Sequence, residues 1–416
     1  MPKKKLRILM LSWEYPPHVV GGLGAHVAAL APALVRAGAE VHVVTPRWKG
    51  GEPRELIGAL PSPGRVRKKT AASAVYRVEP PVRGMGNFFA DAQQTNLNLG
   101  EQAQDLYQRL GGFDVIHAHD WLVAFAAASL KRLHKTPLLA TIHATERGRG
   151  RGFLSGELSN AINGTEWWLA YEAWRVIACS EYMRAEVRDF FQTPADKVDI
   201  VPNGVDAAPF DALAGIDLTE FRARWARPEE RIVFNVGRVV QEKGAHVIVE
   251  AAPRVLAQMP NVKFIIAGTG GMREHLQRRV WELGVQDKVL IAGFVSDPDR
   301  DRLLKVADAA IFPSLYEPFG IVALEAMAAQ CPVIVSEVGG LKEVVQHDVT
   351  GVKIYSDNID SLAWGVLHTL GDPHAARARA RRAYRLVQTE YNWDRIAERT
   401  LAIYERIVRE RTKTDW

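Results

Sequence analysis

The chain has 416 residues, 47% apolar and 24% charged, with 53 basic against 48 acidic side chains and a formal charge of +5. That length exceeds what one compact core holds and points to two domains, while the mild basic excess fits an anionic small-molecule substrate and gives no nucleic-acid footprint. Two cysteines exclude a disulfide framework and offer no metal-ligand spacing. No apolar run reaches the ~18 residues needed to cross a bilayer, and the segment after Lys3-Lys4-Lys5 turns polar too soon for a secretion signal, so a cytoplasmic protein is expected.

In chain order, an apolar run at 6–11 reads as a strand, followed by the loop Ser12-Trp-Glu-Tyr-Pro-Pro-His-Val-Val-Gly-Gly-Leu-Gly24, a helix over 25–37 and a strand over 41–45. Strand, Gly-rich loop, helix and strand make a βαβ unit, and hence a parallel sheet covered by helices. Further strands are expected at 75–78, 115–117, 138–142, 176–179 and 198–201; residues 49–69, rich in Gly, Pro and basic side chains, read as loop. The alternation pauses at Pro202-Asn-Gly-Val-Asp206 and resumes with strands at 232–236, 262–267, 288–292, 309–312 and 332–335. The fold class is therefore α/β, with two Rossmann-like doubly wound domains, 1–205 and 206–395. In the charged tail, Trp393, Ile396, Leu401, Tyr404, Ile407 and Val408 form one apolar stripe of a final helix.

Four stretches carry chemistry. Gly21-Gly22-Leu23-Gly24 opens the first helix, where glycine lets a phosphate approach the free N–H groups; the spacing is not G-x-G-x-x-G, which argues against NAD. Arg238 and Lys243 follow the strand at 232–236, a bidentate fork and a mobile point charge suited to phosphate oxygens. His117-Ala-His119-Asp120-Trp121 ends a strand. Of the two histidines, one is expected to pack inward and the other to face a site, with His143 as a second polar group there, and no shared metal ion is expected. The fourth stretch is Pro313-Ser-Leu-Tyr-Glu317-Pro-Phe-Gly-Ile-Val-Ala-Leu-Glu325, a turn entering an almost wholly apolar helix. Glu325 in the middle of that helix needs a polar partner, and Glu317 lies beside the helix N-terminus. Asp297-Pro-Asp299-Arg-Asp301 reads as helix capping and not as a metal-binding pair. The aromatic run Trp167 to Trp174 reads as core packing.

Together these stretches resemble the retaining nucleotide-sugar glycosyltransferases of family 4, of the GT-B fold, in the branch that contains bacterial glycogen and starch synthases. Glu317 to Glu325 matches that family's E-x7-E motif, and Ser-Trp-Glu-Tyr-Pro-Pro with Gly-Gly-Leu-Gly and His-Ala-His-Asp-Trp match the glycogen-synthase-related branch. The resemblance implies two domains facing a cleft, with residues 396–416 returning to the first. It implies no cofactor and no metal, a nucleoside diphosphate sugar as donor (ADP-glucose or UDP-glucose) and a carbohydrate or other hydroxyl as acceptor.

By the same resemblance, Gly21 and Gly22 meet the donor diphosphate, Arg238 and Lys243 neutralise it, and Glu325 takes the ribose hydroxyls. Glu317 holds the donor sugar, and His119 touches it near the reacting carbon. Phe319, Gly320 and Ile321 add backbone contacts, Gly268, Gly270 and Phe294 lie near the base, and His143 and Trp121 lie on the acceptor side. One departure stands out: Val20 occupies the position where glucan-forming synthases of the neighbouring family carry a Lys, so an α-glucan acceptor does not follow automatically. A hydrolysing sugar-nucleotide epimerase on the same fold, or a catalytically silent sugar-nucleotide binder, are the competing readings.

Overall fold

In the computed structural model, which describes residues 5–58, 72–80, 86–414 and 416, the chain divides into two compact units: Met1–Asn203 with Trp393–Trp416, and Gly204–Asn392. The first boundary falls two residues before the expected one. The second falls just ahead of Trp393, so the final helix begins with the first residue of its apolar stripe.

The first unit contains β1 (Arg7–Leu11), β2 (Glu40–Pro46), β3 (Arg54–Leu56), β4 (Ala74–Val78), β5 (Val115–His119), β6 (Leu138–Ile142), β7 (Arg175–Ala178) and β8 (Val198–Ile200). Their order across the sheet is β3-β4-β2-β1-β5-β6-β7-β8. All neighbours pair in parallel except β3 with β4, and Ile8 sits in register with Val41 on one side and Val115 on the other. Covered on both faces, β2, β4, β5 and β6 are buried end to end and β1 from Ile8 onward, which is why they read as largely apolar runs. The short β3 corrects the expectation of a loop over 49–69: its three residues are all exposed and pair antiparallel at the sheet edge. Residues 59–69 of that stretch lie outside the described ones.

The last helix, Trp393–Arg411, belongs to this unit. Its Trp393, Ile396, Ile403, Tyr404 and Ile407 share a core cluster with Leu23, Val27, Leu30 and Leu34 of helix Gly22–Arg36. The 3–4 residue spacing puts them on one face, and each such side chain contributes ~1.5–3 kcal/mol by leaving water.

The second unit holds β9 (Arg231–Val236), β10 (Val262–Ala267), β11 (Val289–Gly293), β12 (Ala309–Phe312), β13 (Val333–Ser336) and β14 (Val352–Ile354), all parallel in the order β11-β10-β9-β12-β13-β14. In both units the strand order reverses beside a central strand, at β1/β5 in the first and β9/β12 in the second. Such a reversal leaves a crevice outside the carboxyl ends of the two strands, where open α/β sheets bind ligands. No helix among the described residues is long and apolar enough to cross a membrane.

Both cysteines, Cys179 and Cys331, are buried. The aromatic run corrects another expectation. Trp167 (46% exposed) and Tyr171 (68%) lie on the surface, stacked on each other with ring centroids 5.6 Å apart, and do not pack in the core.

Candidate functional site

The second unit gathers the phosphate-type and hydroxyl-type residues at its reversal. The loop leaving β9 carries Arg238 and Lys243; the loop leaving β12 carries Glu317. Lys243 Nζ donates to Glu317 Oε2 at 2.7 Å, and Ser314 Oγ donates to the same oxygen at 3.1 Å. Two residues 74 positions apart are thus joined in a part-buried ion pair, with Glu317 only 7% exposed. Arg238 is more open and donates to Glu242 at 2.9 Å.

The turn ends at Gly320, whose φ of 103° is a left-handed conformation that favours glycine, and the helix Ile321–Ala328 follows. Its first bonds run from Ala323 and Leu324 to the Gly320 carbonyl, so the N–H groups of Ile321 and Val322 precede the helical ladder and are available to an anion. Phe319 is buried against Tyr391 and offers backbone only.

Gly268 and Gly270 follow β10 and Phe294 follows β11. A side chain at Gly268 would put its Cβ 1.7 Å from the Gly237 carbonyl oxygen, so the loops after β9 and β10 touch backbone to backbone. Phe294 is 80% exposed, free to cover a flat group.

Glu325 has the partner that its burial demands, and the sequence did not reveal which one. Arg300 Nη1 lies 3.5 Å from Glu325 Oε1. Burial raises the Glu325 pKa, the Arg300 charge opposes that, and Asp301 and Asp297 add to the rise. The aspartate run therefore does something other than the expected capping. Ser296 caps helix Asp297–Val306 by accepting from Asp299 N–H, while Asp297 and Asp301 hold Arg300 beneath Glu325.

The reversal of the first unit is furnished differently. Gly21 is the N-cap of helix Gly22–Arg36, and the N–H groups of Val20 and Gly21 donate to Glu14 Oε2 at 2.8 and 3.2 Å. A resident carboxylate thus fills part of the Gly-rich loop. The N–H groups of Gly22, Leu23 and Gly24 lie ahead of the first helical bond, from Ala25 to Gly21.

At the end of β5, His117 packs inward as expected, between Tyr404 Oη and Thr141 Oγ1, each at 2.7 Å. His119 is fully buried as well. Its Nδ1 meets His143 Nε2 at 3.0 Å, so His119 stands behind His143, and the half-buried His143 is the ring open to a ligand. Trp121 is likewise buried, stacked on Phe89 with centroids 5.6 Å apart.

Two further features escaped the sequence. Asp120 has φ 60° and ψ 176°, a region almost confined to glycine, where strain costs of order 1–3 kcal/mol. It is held there by its own N–H to Thr141 and by its carboxylate, which accepts His143 N–H at 2.7 Å. Burial raises its pKa to about 7.

The second is a histidine cluster from three separate elements. His26, from the first helix, joins His119 and His143, with one ligand nitrogen from each all within 4.8 Å of one another. Spacing along the chain shows no such set, since residues 26, 119 and 143 meet only in three dimensions. Burial keeps all three rings neutral, with the His26 pKa lowered to about 4 and those of His119 and His143 well below the ordinary value.

Comparison with known proteins covers both units. The model of "Glycosyltransferase Family 4" matches residues 20–208 and that of "Glycosyl transferases group 1" matches residues 217–386. The chain is 39% identical to an uncharacterized glycosyltransferase of Methanocaldococcus jannaschii, across 96% of this chain and 98% of that one. It is 36% identical to a glycogen synthase of Mycobacterium tuberculosis, across 96% and 94%. Among solved structures, sucrose-phosphate synthase from Thermosynechococcus elongatus has the same fold, with a TM-score of 0.80 at 23% identity over 98% of this chain and 100% of that one.

Proposed function

The chain belongs to the family 4, group 1 glycosyltransferases, enzymes that use a nucleotide sugar, and on that premise we propose that it moves a glucosyl group, with retention and without a metal, from ADP-glucose or UDP-glucose to a hydroxyl of a carbohydrate acceptor. The observation that carries this reading is the Lys243–Glu317 pair at the β9/β12 reversal, with Arg238 on the same loop. Breaking the anomeric C–O bond leaves a diphosphate and an oxocarbenium-like sugar. Lys243, Arg238 and the N–H groups of Ile321 and Val322 form a preorganised set of positive charge and donors for that diphosphate, which does the work a metal ion does elsewhere.

When the donor arrives, Lys243 turns toward the phosphate and Glu317, released from its ion pair, accepts from the sugar hydroxyls. Glu325, held by Arg300, takes the ribose hydroxyls. No carboxylate is placed as a nucleophile in this reading, so the departing phosphate assists deprotonation of the acceptor on the same face of the sugar. His143 contributes as a neutral hydrogen-bonding group. The glucosyl assignment draws support from the glycogen synthase relative.

The decisive experiment is a turnover screen of ADP-, UDP- and GDP-sugars against glucan and small-sugar acceptors, with the anomeric product followed by NMR and with chelator present. An α-linked product from ADP- or UDP-glucose is expected. A β-linked product, free epimerised sugar, or complete loss of turnover on chelation would overturn retention, transfer or metal independence respectively.

A further inference from the structure

Nothing in nucleotide-sugar chemistry calls for three histidines facing one another, yet His26, His119 and His143 do so in the first unit, with one nitrogen from each within 4.8 Å. His26 Nδ1 is engaged by Asn203 Oδ1 at 2.6 Å. That amide oxygen accepts, so the proton sits on Nδ1 and Nε2 is an unprotonated lone pair. Nε2 of His26 is buried and has no hydrogen-bond partner.

A histidine oriented through its other nitrogen by an oxygen acceptor is the arrangement of a metal ligand. Two rings already sit at 3.0 Å, His119 Nδ1 to His143 Nε2, close to the ~3.3 Å that separates nitrogens bound tetrahedrally to one ion at about 2.05 Å. Neutral imidazoles bind without first losing a proton, and half-buried His143 gives an entry path.

We propose that His26, His119 and His143 form a binding site for a divalent transition-metal ion of the zinc class, and that filling it stops transfer by withdrawing His143 from the sugar. On binding, the N–H shared between His119 and His143 moves to the other nitrogen of whichever ring donates it. Each ring then presents a lone pair, and no net proton leaves. Three imidazoles and one retained water complete four-coordination, while the ion sheds its remaining waters.

Cobalt(II) titration of the full-length protein, with no donor or acceptor present, reads the site directly. One equivalent giving the visible d–d bands of four-coordinate Co²⁺, displaced by Zn²⁺, is expected. His26→Gln should abolish those bands, and Asn203→Ala, which removes only the orienting acceptor, should weaken binding about 10–100-fold. Failure of wild-type protein to bind one equivalent, or equal binding by folded His26→Gln, would overturn the site. The inhibition half rests on the transferase reading: Zn²⁺ should inhibit wild type reversibly, and His26→Gln should keep its turnover and lose the inhibition. Stoichiometric binding without inhibition would overturn that half alone, and absence of any turnover would leave the cobalt result standing by itself.

Discussion

In the first unit, the strands at the order reversal end in His119 and Asp120, with His143 on the neighbouring strand's loop, and these groups are buried and held near or in their uncharged forms. In the second unit the loops leaving the equivalent strands, and the helices after them, carry charged groups paired in place: Lys243 with Glu317, Arg238 with Glu242, and Arg300 with Glu325. The sheets share parallel pairing and the reversal, so topology supplies the crevice and the loop residues decide what each crevice can bind. Neutral hydrogen-bonding groups suit a polyhydroxyl ligand without the solvation penalty of burying charge. Pre-paired cations suit a diphosphate that can take over the partner.

The contrast can be broken most forcefully by titration. Glu166 of the first unit is buried and accepts the N–H of Glu146, and burial raises its pKa from 4.5 to about 8. The folded form therefore binds more protons than the unfolded chain between those values, and this group's contribution to stability is lost as pH rises from 4.5 to 8. Its loss by pH 8 amounts to roughly 3–5 kcal/mol. Hydrogen exchange of first-unit amides against pH should show that decline, and Glu166→Gln should flatten it; a flat profile in the wild type would contradict the picture of uncharged groups.

Lys243→Ala tests the opposite pole. It removes the counter-charge of the diphosphate and leaves Glu317 unpaired, so kcat should fall about 10²–10³-fold. Unchanged turnover would end the preorganised-charge account. Arg300→Ala sharpens the same unit: Glu325, without its partner, becomes easier to protonate and a poorer acceptor for the ribose. Donor KM should rise roughly tenfold, about 1.4 kcal/mol, with kcat less affected. A fall in kcat alone would move Glu325 from binding to chemistry. Smallest is Trp167→Ala on the exposed face of helix Gly156–Glu172, which should change stability by less than about 0.5 kcal/mol. A large drop in the unfolding temperature would return that residue to the core.

Periodicity made much of the fold legible. Parallel strands buried on both faces leave unbroken apolar runs, and the last helix writes its packing face at 393, 396, 404 and 407. What stayed hidden depends on partners far apart in sequence or on backbone geometry. Strand β3 has three exposed residues and no apolar signal, and β14 is equally short. Arg300 and Glu325 are 25 positions apart on different helices. The left-handed backbone of Asp120 is invisible where only glycine would announce it. The candidate residues of the second unit could be picked out because their charges lie beside glycines at strand ends. The burial of His119 and Trp121 was not legible, because a strand terminus says nothing about which side chain a neighbouring loop covers.

The return of helix Trp393–Arg411 to the first unit has a consequence for synthesis. The chain emerges from the ribosome in order, and residues 204–392 intervene between the first unit's sheet and its last helix. Tyr404, which bonds His117, and Trp393, whose ring meets His26 at 5.4 Å, are supplied by that helix. The second unit can therefore complete its core during translation, whereas the first must wait, its helix Gly22–Arg36 lacking that packing partner until the final residues are made. A stalled or shortened product would hold a finished second unit attached to an unfinished first, and quality control should meet it at the N-terminal half.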